Sequence, residues 1–350
     1  GRAPYDAVLT HGFVVDAAGR KMSKSIGNVI SPSEVIEKYG TEILRLWVSA
    51  SDYREDIRIS DNILRQLTDA YRRIRNTSRF MLGNLYDFDP DKDAVDYDSM
   101  PEIDRFALHK LQLIVEKALA AYAAYEFHGI YHALYNYCTL DLSALYLDIL
   151  KDRLYTSAPQ SAERKSAQSV LYIVLETIAR LMAPILPFTS DEIWQYMPAK
   201  NGRESSIHLA ALPEINPALK DDVLFKRWEF LLQIRGEATK ALEEARAKKL
   251  IGHSLDASVT ISAKGDVYDA VHPWADTLRS LLIVSQATLV KDEALDGALK
   301  SEEIEGLLIR VEPAPGEKCE RCWVHDTSVG SHSEQATICD RCRHALAEIG

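Results

Sequence analysis

The sequence predicts a mainly α-helical protein of several domains, and three observations support this prediction. From about residue 60 to residue 212, apolar residues recur every three to four positions, which is the helical period. After a proline-containing linker, apolar and polar residues alternate at 254–261, which introduces strands and indicates a small α/β domain. The last 34 residues hold four cysteines in two pairs, in a segment too small and polar to bury a core of its own.

The composition is that of an ordinary globular chain. Of 350 residues, 47% are hydrophobic and 27% charged, which excludes a disordered tail, a collagen-like fibre and a disulfide-dense miniprotein. The net charge is 41 minus 52, or −11, so any nucleic-acid contact requires a local basic surface. Charges and prolines interrupt the most apolar stretch, 170–188, so we expect no membrane span or membrane partner. Sparse cysteines favour a reducing, cytoplasmic location, and the absence of a starting methionine suggests a fragment of a longer protein.

The N-terminal 60 residues carry a strong helix-start signal. Ser31 is suited to the N-cap, Pro32 to the first helical position and Glu34 to a capping box, and Gly40 is suited to end that helix. Short apolar runs before this helix predict strands. The expected elements are strands at 7–10 and 12–15, a turn at 16–19, and helices at 32–39 and about 41–49.

Long helices with short connections predict a helical bundle in the middle of the chain. A strongly acidic connection, residues 87–104, is expected to face away from nucleic acid. Thr189 to Glu192 predict another capping box at the start of the last bundle helix. The expected helices are 61–83, 101–122, 126–153, 161–183 and 189–197; a further helix at 222–250, strands at 254–261, 281–290 and 306–312, and helical residues at 266–280 follow.

The spacing of the cysteines predicts a metal site. Cys319-x-x-Cys322 and Cys339-x-x-Cys342, separated by sixteen residues, supply four thiolates, which can close a tetrahedral zinc site. We expect one structural zinc ion and no catalytic metal, because four sulfur ligands leave no open position. The alternatives are a pair of disulfides or free thiols. A reducing compartment disfavours the disulfides. The remaining cysteine, Cys138, is expected to be a small buried apolar residue.

A second motif, which we call the basic loop, comprises residues 20–28. Its centre is Lys21-Met22-Ser23-Lys24-Ser25, flanked by Gly19 and Gly27. Lysine and hydroxyl donors stabilise charge that grows on a leaving pyrophosphate, and flanking glycines let a loop open and close. Basic loops are also common in proteins that bind no phosphate, so composition alone leaves both interpretations open.

Two basic surfaces and one aromatic residue are candidates for RNA contact. Residues 61–80 count five arginines against two aspartates, although a solvated helix face is the simpler interpretation of such a stripe. Lysines after the long helix are also expected from the helix dipole. Trp323 either stacks on a base or covers a small core. The candidates are Arg65, Arg72, Arg75 and Arg79 (the basic stripe), then Lys248, Lys249 and Trp323.

These motifs resemble those of the class I aminoacyl-tRNA synthetases. Lys21 to Ser25 is similar to the signature loop of that class, and the flanking residues 4–13 and 19–28 resemble the isoleucyl-tRNA synthetase family. The resemblance continues through 51–60 and 146–153 and ends at the two cysteine knuckles. It therefore covers the whole chain, in the order of the C-terminal portion of a bacterial-type enzyme.

The resemblance implies functions for individual residues. In that family the second lysine of the loop, here Lys24, contacts ATP, which implies a catalytic role for Lys21 and Lys24 and ATP contacts for Met22, Ser23, Lys24 and Ser25. The resemblance implies that ATP with Mg²⁺, isoleucine and isoleucine tRNA are the full enzyme's substrates, and that the protein is monomeric. The second ATP-holding signature of the class, His-x-Gly-His, is not present, so we expect this chain alone to be inactive.

The resemblance divides the chain into five expected segments, and it leaves alternatives. One alternative is a stand-alone zinc-containing RNA-binding module, but such a module has no use for a pyrophosphate clamp. A second is the same part of a valyl- or leucyl-tRNA synthetase, which the terminal cysteines disfavour. A third is a zinc-ribbon DNA-binding protein, which the acidic charge disfavours. The segments are the end of a class I nucleotide-binding catalytic domain at 1–30, stem-contact helices at 31–60, an anticodon-binding bundle at 61–212, a small α/β domain at 213–315 and a zinc module at 316–350.

Overall fold

The computed structural model describes residues 1–349, which form two compact units. The first unit comprises Gly1–Tyr146 and Gln168–Lys220, and the second comprises Leu147–Ala167 and the chain from Asp221 onward. Helical residues predominate and the sheets are small, so the predicted mainly α fold class is confirmed. Within the described residues, no helix is both long enough and apolar enough to cross a bilayer.

The first unit begins with a short strand pair followed by two helices. Strand β1 (Val14–Val15) runs parallel to β2 (Ile57–Arg58), and helices α1 (Pro32–Tyr39) and α2 (Thr41–Ala50) lie between them in sequence. The Ser31 hydroxyl accepts a hydrogen bond from the amide of Glu34, as predicted. The prediction of a strand at 7–10 is wrong, because no described strand pairs with that run and its side chains are exposed.

The bundle helices of the first unit match the predicted set with two exceptions. The predicted helix 126–153 is interrupted by a π-helical segment, Tyr137–Tyr146, where Thr77 Oγ1 lies 2.9 Å from the Ser143 hydroxyl and 3.3 Å from the Cys138 carbonyl. The helices are α3 (Asp61–Gly83), α4 (Glu102–Ala123), α5 (Phe127–Asn136), α7 (Ala162–Met182, whose first six residues are in the second unit) and α8 (Pro187–Tyr196).

The second exception is the start of α8. This helix begins at Pro187, so the capping box predicted at residues 189–192 is wrong. Glu42 of α2 takes the place of a local cap: it accepts hydrogen bonds from the Phe188 amide at 3.1 Å and from the Thr189 hydroxyl at 2.7 Å. A carboxylate near a helix N-terminus satisfies donors that otherwise have no partner.

The second unit is an α/β structure around a four-stranded sheet. Its elements are α6 (Leu147–Thr156), α9 (Asp222–Ala247), β3 (Ala257–Ala263), α10 (Gly265–Val271), α11 (Leu278–Leu282), β4 (Gln286–Lys291), β5 (Leu299–Lys300) and β6 (Leu307–Pro313). The strand order is β4-β3-β6-β5; β3 is parallel to β4 and antiparallel to β6, and the long helix α9 packs on β6. The expected strand at 281–290 begins only at 286, because the preceding leucines complete α11, which is capped by Ile283 (φ +55°).

The last segment of the second unit, from residue 316 onward, is the four-cysteine module. A short hairpin of β7 (Glu317–Lys318) and β8 (His325–Asp326) carries the first cysteine pair. Helix α12 (Asp340–Ala347) begins directly after Cys339 and carries Cys342. Helix α6 and the first residues of α7 group with this part of the chain rather than with the bundle segment 61–212 in which the sequence placed them.

Candidate functional site

The four cysteines of the module converge as their spacing predicts. All four side chains are buried, and their Sγ atoms lie within 4.8 Å of one another. Cys322 Sγ lies 3.7 Å from Cys339 Sγ, and a tetrahedral zinc site with Zn–S distances of about 2.3 Å requires sulfurs about 3.8 Å apart. The donor set and its spacing therefore fit zinc. Among residues 1–349, no other cluster of potential metal ligands meets this distance criterion.

The module has almost no core apart from these sulfurs. Among the described residues of the module, the other buried apolar side chains are Val324 and the small Ala345, and Leu255, Val329 and Ile338 pack half-buried against the sulfur cluster. Thiols bind zinc as thiolates, so zinc binding would displace their protons, and the binding free energy would contribute to folding of the module.

Trp323, which follows the second cysteine, points away from the module's core. Its side chain is 59% exposed, its backbone has a φ of +66°, and the Lys318 ammonium lies 5.4 Å from the ring centroid. The indole therefore does not fill the small core, which was the alternative to a stacking role. Trp323 lines a cavity of about 390 Å³ whose other walls include Lys151 and Tyr155 of α6 and Arg279.

The basic loop is folded onto a single carboxylate. Asp16, which is 8% exposed, accepts hydrogen bonds from the amides of Ala18 and Arg20 and from the Arg20 side chain. It also accepts one from the Asn28 amide group at 3.0 Å, and these contacts hold the pKa of the Asp16 carboxyl well below its usual range. Both ends of the loop are thus fastened to the same side chain.

Asn28 closes the loop from the other side. Its Oδ1 accepts from the Ser23 amide at 2.9 Å, and its Nδ2 donates to the Lys21 carbonyl at 3.3 Å. The hydroxyls of Ser23 and Ser25 lie 3.0 Å apart. Lys21 and Lys24 are exposed, and within residues 1–349 neither forms an ion pair. The loop therefore presents two unneutralised ammonium groups on an ordered base, an arrangement that suits a polyanion.

Replacing Asn28 with alanine is expected to speed tryptic cleavage of the basic loop about a hundredfold, since it removes three hydrogen bonds worth about 1 kcal/mol each. Mass spectrometry of the fragments that end at Arg20, Lys21 and Lys24 measures the rate. Asn201→Ala is the matched control, because the Asn201 side chain forms no hydrogen bond within the described chain. An unchanged cleavage rate in Asn28→Ala would show that the loop is ordered by other contacts.

The basic stripe is exposed on α3, but most of its charge is already paired. Arg65 lies 2.5 Å from Asp61, Arg72 lies 3.2 Å from Asp69, and Arg75 lies 3.2 Å from Glu192. Arg79 and the neighbouring Arg73, which the sequence analysis did not single out, are exposed and have no ion pair among the described residues. The two unpaired arginines are therefore the strongest candidates on this helix.

The second predicted surface, after α9, also contains one lysine that forms an ion pair and one that forms none among the described residues. Lys248 pairs with Glu244 at 3.3 Å, whereas Lys249 has a φ of +56° and no ion pair in the described structure. Lys249, Arg246 and His325 line an open cavity of about 470 Å³, together with Asp256. Of the two predicted lysines, Lys249 is thus the one available for an anionic ligand.

Comparisons with known proteins match three segments of the chain to families. Residues 1–60 match the class I tRNA synthetases (I, L, M and V), residues 104–261 match the anticodon-binding domain of tRNA ligase, and residues 316–345 match the zinc finger found in FPG and IleRS. The last match covers all four cysteines and supports zinc as their metal.

Curated relatives match the chain over nearly its whole length. The isoleucine–tRNA ligase of Geobacter sulfurreducens is 56% identical over 346 residues, and that of Desulforamulus reducens is 51% identical over 349; each alignment covers 99% of this chain. The chain spans 37% of the length of these relatives. A solved complex, Agrobacterium radiobacter K84 agnB2 LeuRS–tRNA–LeuAMS, aligns with a TM-score of 0.47 and 19% identity over 83% of this chain and 31% of that chain.

Proposed function

Because the chain belongs to the isoleucine–tRNA ligase family of class I aminoacyl-tRNA synthetases, we propose that it provides two functions within such a ligase: an ATP-contacting loop and a tRNA-binding surface. One observation carries the proposal. The alignment at 56% identity covers 99% of the chain, from the basic loop to the cysteine pairs. The chain alone lacks the His-x-Gly-His signature and is expected to form no aminoacyl-adenylate.

In this proposal the basic loop acts on the phosphates of ATP, whose Mg²⁺ complex supplies the group that isoleucine attacks. Lys21 and Lys24 contribute ammonium groups that no carboxylate in the described structure neutralises, and Ser23 and Ser25 contribute hydroxyl donors. These donors act mainly in the transition state, because negative charge on the leaving pyrophosphate grows there. Met22 is half-buried. The family resemblance implies that it is also one of the loop residues that contact ATP.

The tRNA-binding function uses exposed cationic and aromatic groups. Arg79 on α3 and Lys249 after α9 form no ion pair among the described residues, so they are suited to phosphates of the tRNA backbone. Trp323 offers an exposed ring on which a base of the anticodon loop can stack. Arg65, Arg72, Arg75 and Lys248 must first exchange their carboxylate partners for phosphate. We further propose isoleucine tRNA as the partner, a monomeric state and a cytoplasmic location.

A binding titration at stated salt against isoleucine, valine and methionine tRNAs tests the tRNA function. We expect the zinc-loaded chain to bind isoleucine tRNA at least about tenfold more tightly than the other two, the size of discrimination that one well-placed base contact gives. Equal, weak binding to all three tRNAs would contradict a specific anticodon-binding role for these residues. The Arg79→Gln, Lys249→Gln double variant tests the phosphate contacts. It is expected to weaken binding to all three tRNAs and to reduce the salt dependence of that binding.

A further inference from the structure

The two cysteine knuckles each direct an arginine at the same helix. Arg321 precedes Cys322 and Arg341 precedes Cys342, so each arginine occupies the position directly before the second cysteine of its pair. Arg321 Nη1 donates to the Thr156 carbonyl at 2.6 Å. Arg341 binds both carboxylate oxygens of Asp152, with Nη2 2.7 Å from Oδ1. Both acceptors belong to the last five residues of α6.

The acceptors are suited to cations. Thr156 is the last residue of α6, and carbonyls at a helix C-terminus lack an intrahelical partner and carry partial negative charge. Asp152 lies one turn earlier and also accepts a hydrogen bond from the Thr156 hydroxyl at 3.0 Å, which fixes its orientation. A paired arginine–carboxylate contact of this kind is among the stronger and more directional hydrogen-bonded pairs in proteins.

Both arginines are tied to the metal site through the chain itself. Arg321 directly precedes the ligand Cys322, and Arg341 directly precedes the ligand Cys342. Four thiolates around Zn²⁺ would carry a net charge of −2, which favours cationic side chains beside the site. Because zinc would hold the two knuckles together, it would also keep both guanidinium groups in position to reach α6 at once.

We propose that Arg321 and Arg341 are positioning residues that fasten the zinc-loaded module to the C-terminal end of α6 and thereby place Trp323 for RNA contact. The two arginines belong to the two knuckles that supply the metal ligands, and both bind the end of α6, so their contacts fix how the module docks. Trp323 lines one cavity together with Lys151 and Tyr155 of α6, so the position of the indole relative to α6 depends on how the module docks. The RNA part of this inference rests on the proposed function; the docking part does not.

The test compares the zinc-loaded full chain with Asp152→Asn, Arg341→Gln and the corresponding double variant. Asp152 is not one of the four metal ligands, so we expect Asp152→Asn to retain one zinc ion per chain by elemental analysis. We expect faster amide exchange in peptides covering 147–156, and isoleucine-tRNA affinity lowered about tenfold, the effect of losing a charged hydrogen-bonded pair. The double variant should be no weaker than the worse single variant, because both remove one interaction.

Two further variants separate positioning from general stability. Arg343→Gln is on the same helix, and its side-chain partners among the described residues, Asp340 and His344, belong to that helix too, so it should change neither exchange in α6 nor tRNA affinity. Arg341→Lys keeps the charge but cannot bind both carboxylate oxygens, so it should give intermediate values. Unchanged exchange at 147–156 in zinc-loaded Asp152→Asn would overturn the docking role. Faster exchange with unchanged tRNA affinity would overturn the placement of Trp323, and wild-type protein that binds no tRNA would contradict the proposed function instead.

Discussion

Replacing Cys319 with serine is expected to release the zinc ion and unfold the segment from residue 316 onward. The sulfur atoms and Val324 are the buried centre of this segment, so little apolar burial remains once the metal is lost. In isolated zinc-binding peptides, the metal contributes about 10–16 kcal/mol of apparent binding free energy at neutral pH, far more than such a small cluster supplies. We therefore expect loss of the whole local fold rather than a modest destabilisation.

Elemental analysis and amide exchange measure this outcome directly. Zinc content should fall from one ion per chain to near zero, and amides of β7, β8 and α12 should exchange at rates close to those of an unfolded peptide. Affinity for isoleucine tRNA should fall by at least about tenfold, because Trp323 loses its fixed position. A chelator should reproduce the effect on the unmodified chain.

The fifth cysteine supplies the matched control. Cys138 is fully buried in the π-helical segment of the first unit and is not part of the metal cluster, and burial raises the pKa of its thiol to about 12. Cys138→Ala should retain its zinc, and its module should exchange as slowly as in the unmodified chain. Retention of zinc by Cys319→Ser, with an intact module, would show that three cysteines suffice and that the site is not the closed tetrathiolate described above.

Elements specified by neighbouring residues could be predicted from the sequence. Helix α3 has the predicted bounds, because its apolar spacing is regular and the Ser60 hydroxyl caps its first turn by accepting a hydrogen bond from the Ile63 amide. The start of α8 was mispredicted because Glu42, far away in the sequence, supplies the acceptor at its N-terminus. The π-helical segment was not predicted either, since it accompanies contacts with Thr77 on another helix.

In the candidate site, too, features specified by nearby residues could be predicted more readily than contacts between distant ones. The four cysteines were predictable from their spacing, because two C-x-x-C pairs are sufficient to specify a tetrahedral site. The contact between Asp152 and Arg341 joins residues 189 positions apart, and no local pattern reports it. The pairing of Asp16 with Asn28 was missed although it is local; an aspartate at the start of a tight turn was the available signal.

In the intact ligase that we propose, replacing Lys24 with alanine is expected to lower kcat for isoleucine-dependent pyrophosphate exchange by about 10²–10³, as for loss of one preorganised donor at a developing anion. The KM for isoleucine should stay unchanged, since the loop donors act on the phosphates. Lys24 is exposed and has no ion pair within residues 1–349, so the substitution removes no contact that holds the fold together. The thermal unfolding midpoint should therefore be that of the unmodified enzyme.

Lys92→Ala is the matched control for this experiment. Lys92 is also an exposed lysine, but it lies in the acidic connection and pairs with Asp89 at 2.5 Å. Its replacement removes the same charge from the chain without touching the basic loop, so pyrophosphate exchange should remain within about twofold of the unmodified rate, as expected for a distant surface change. Equal losses in Lys24→Ala and Lys92→Ala would indicate a general charge effect, and full exchange activity in Lys24→Ala would exclude this lysine from the reaction.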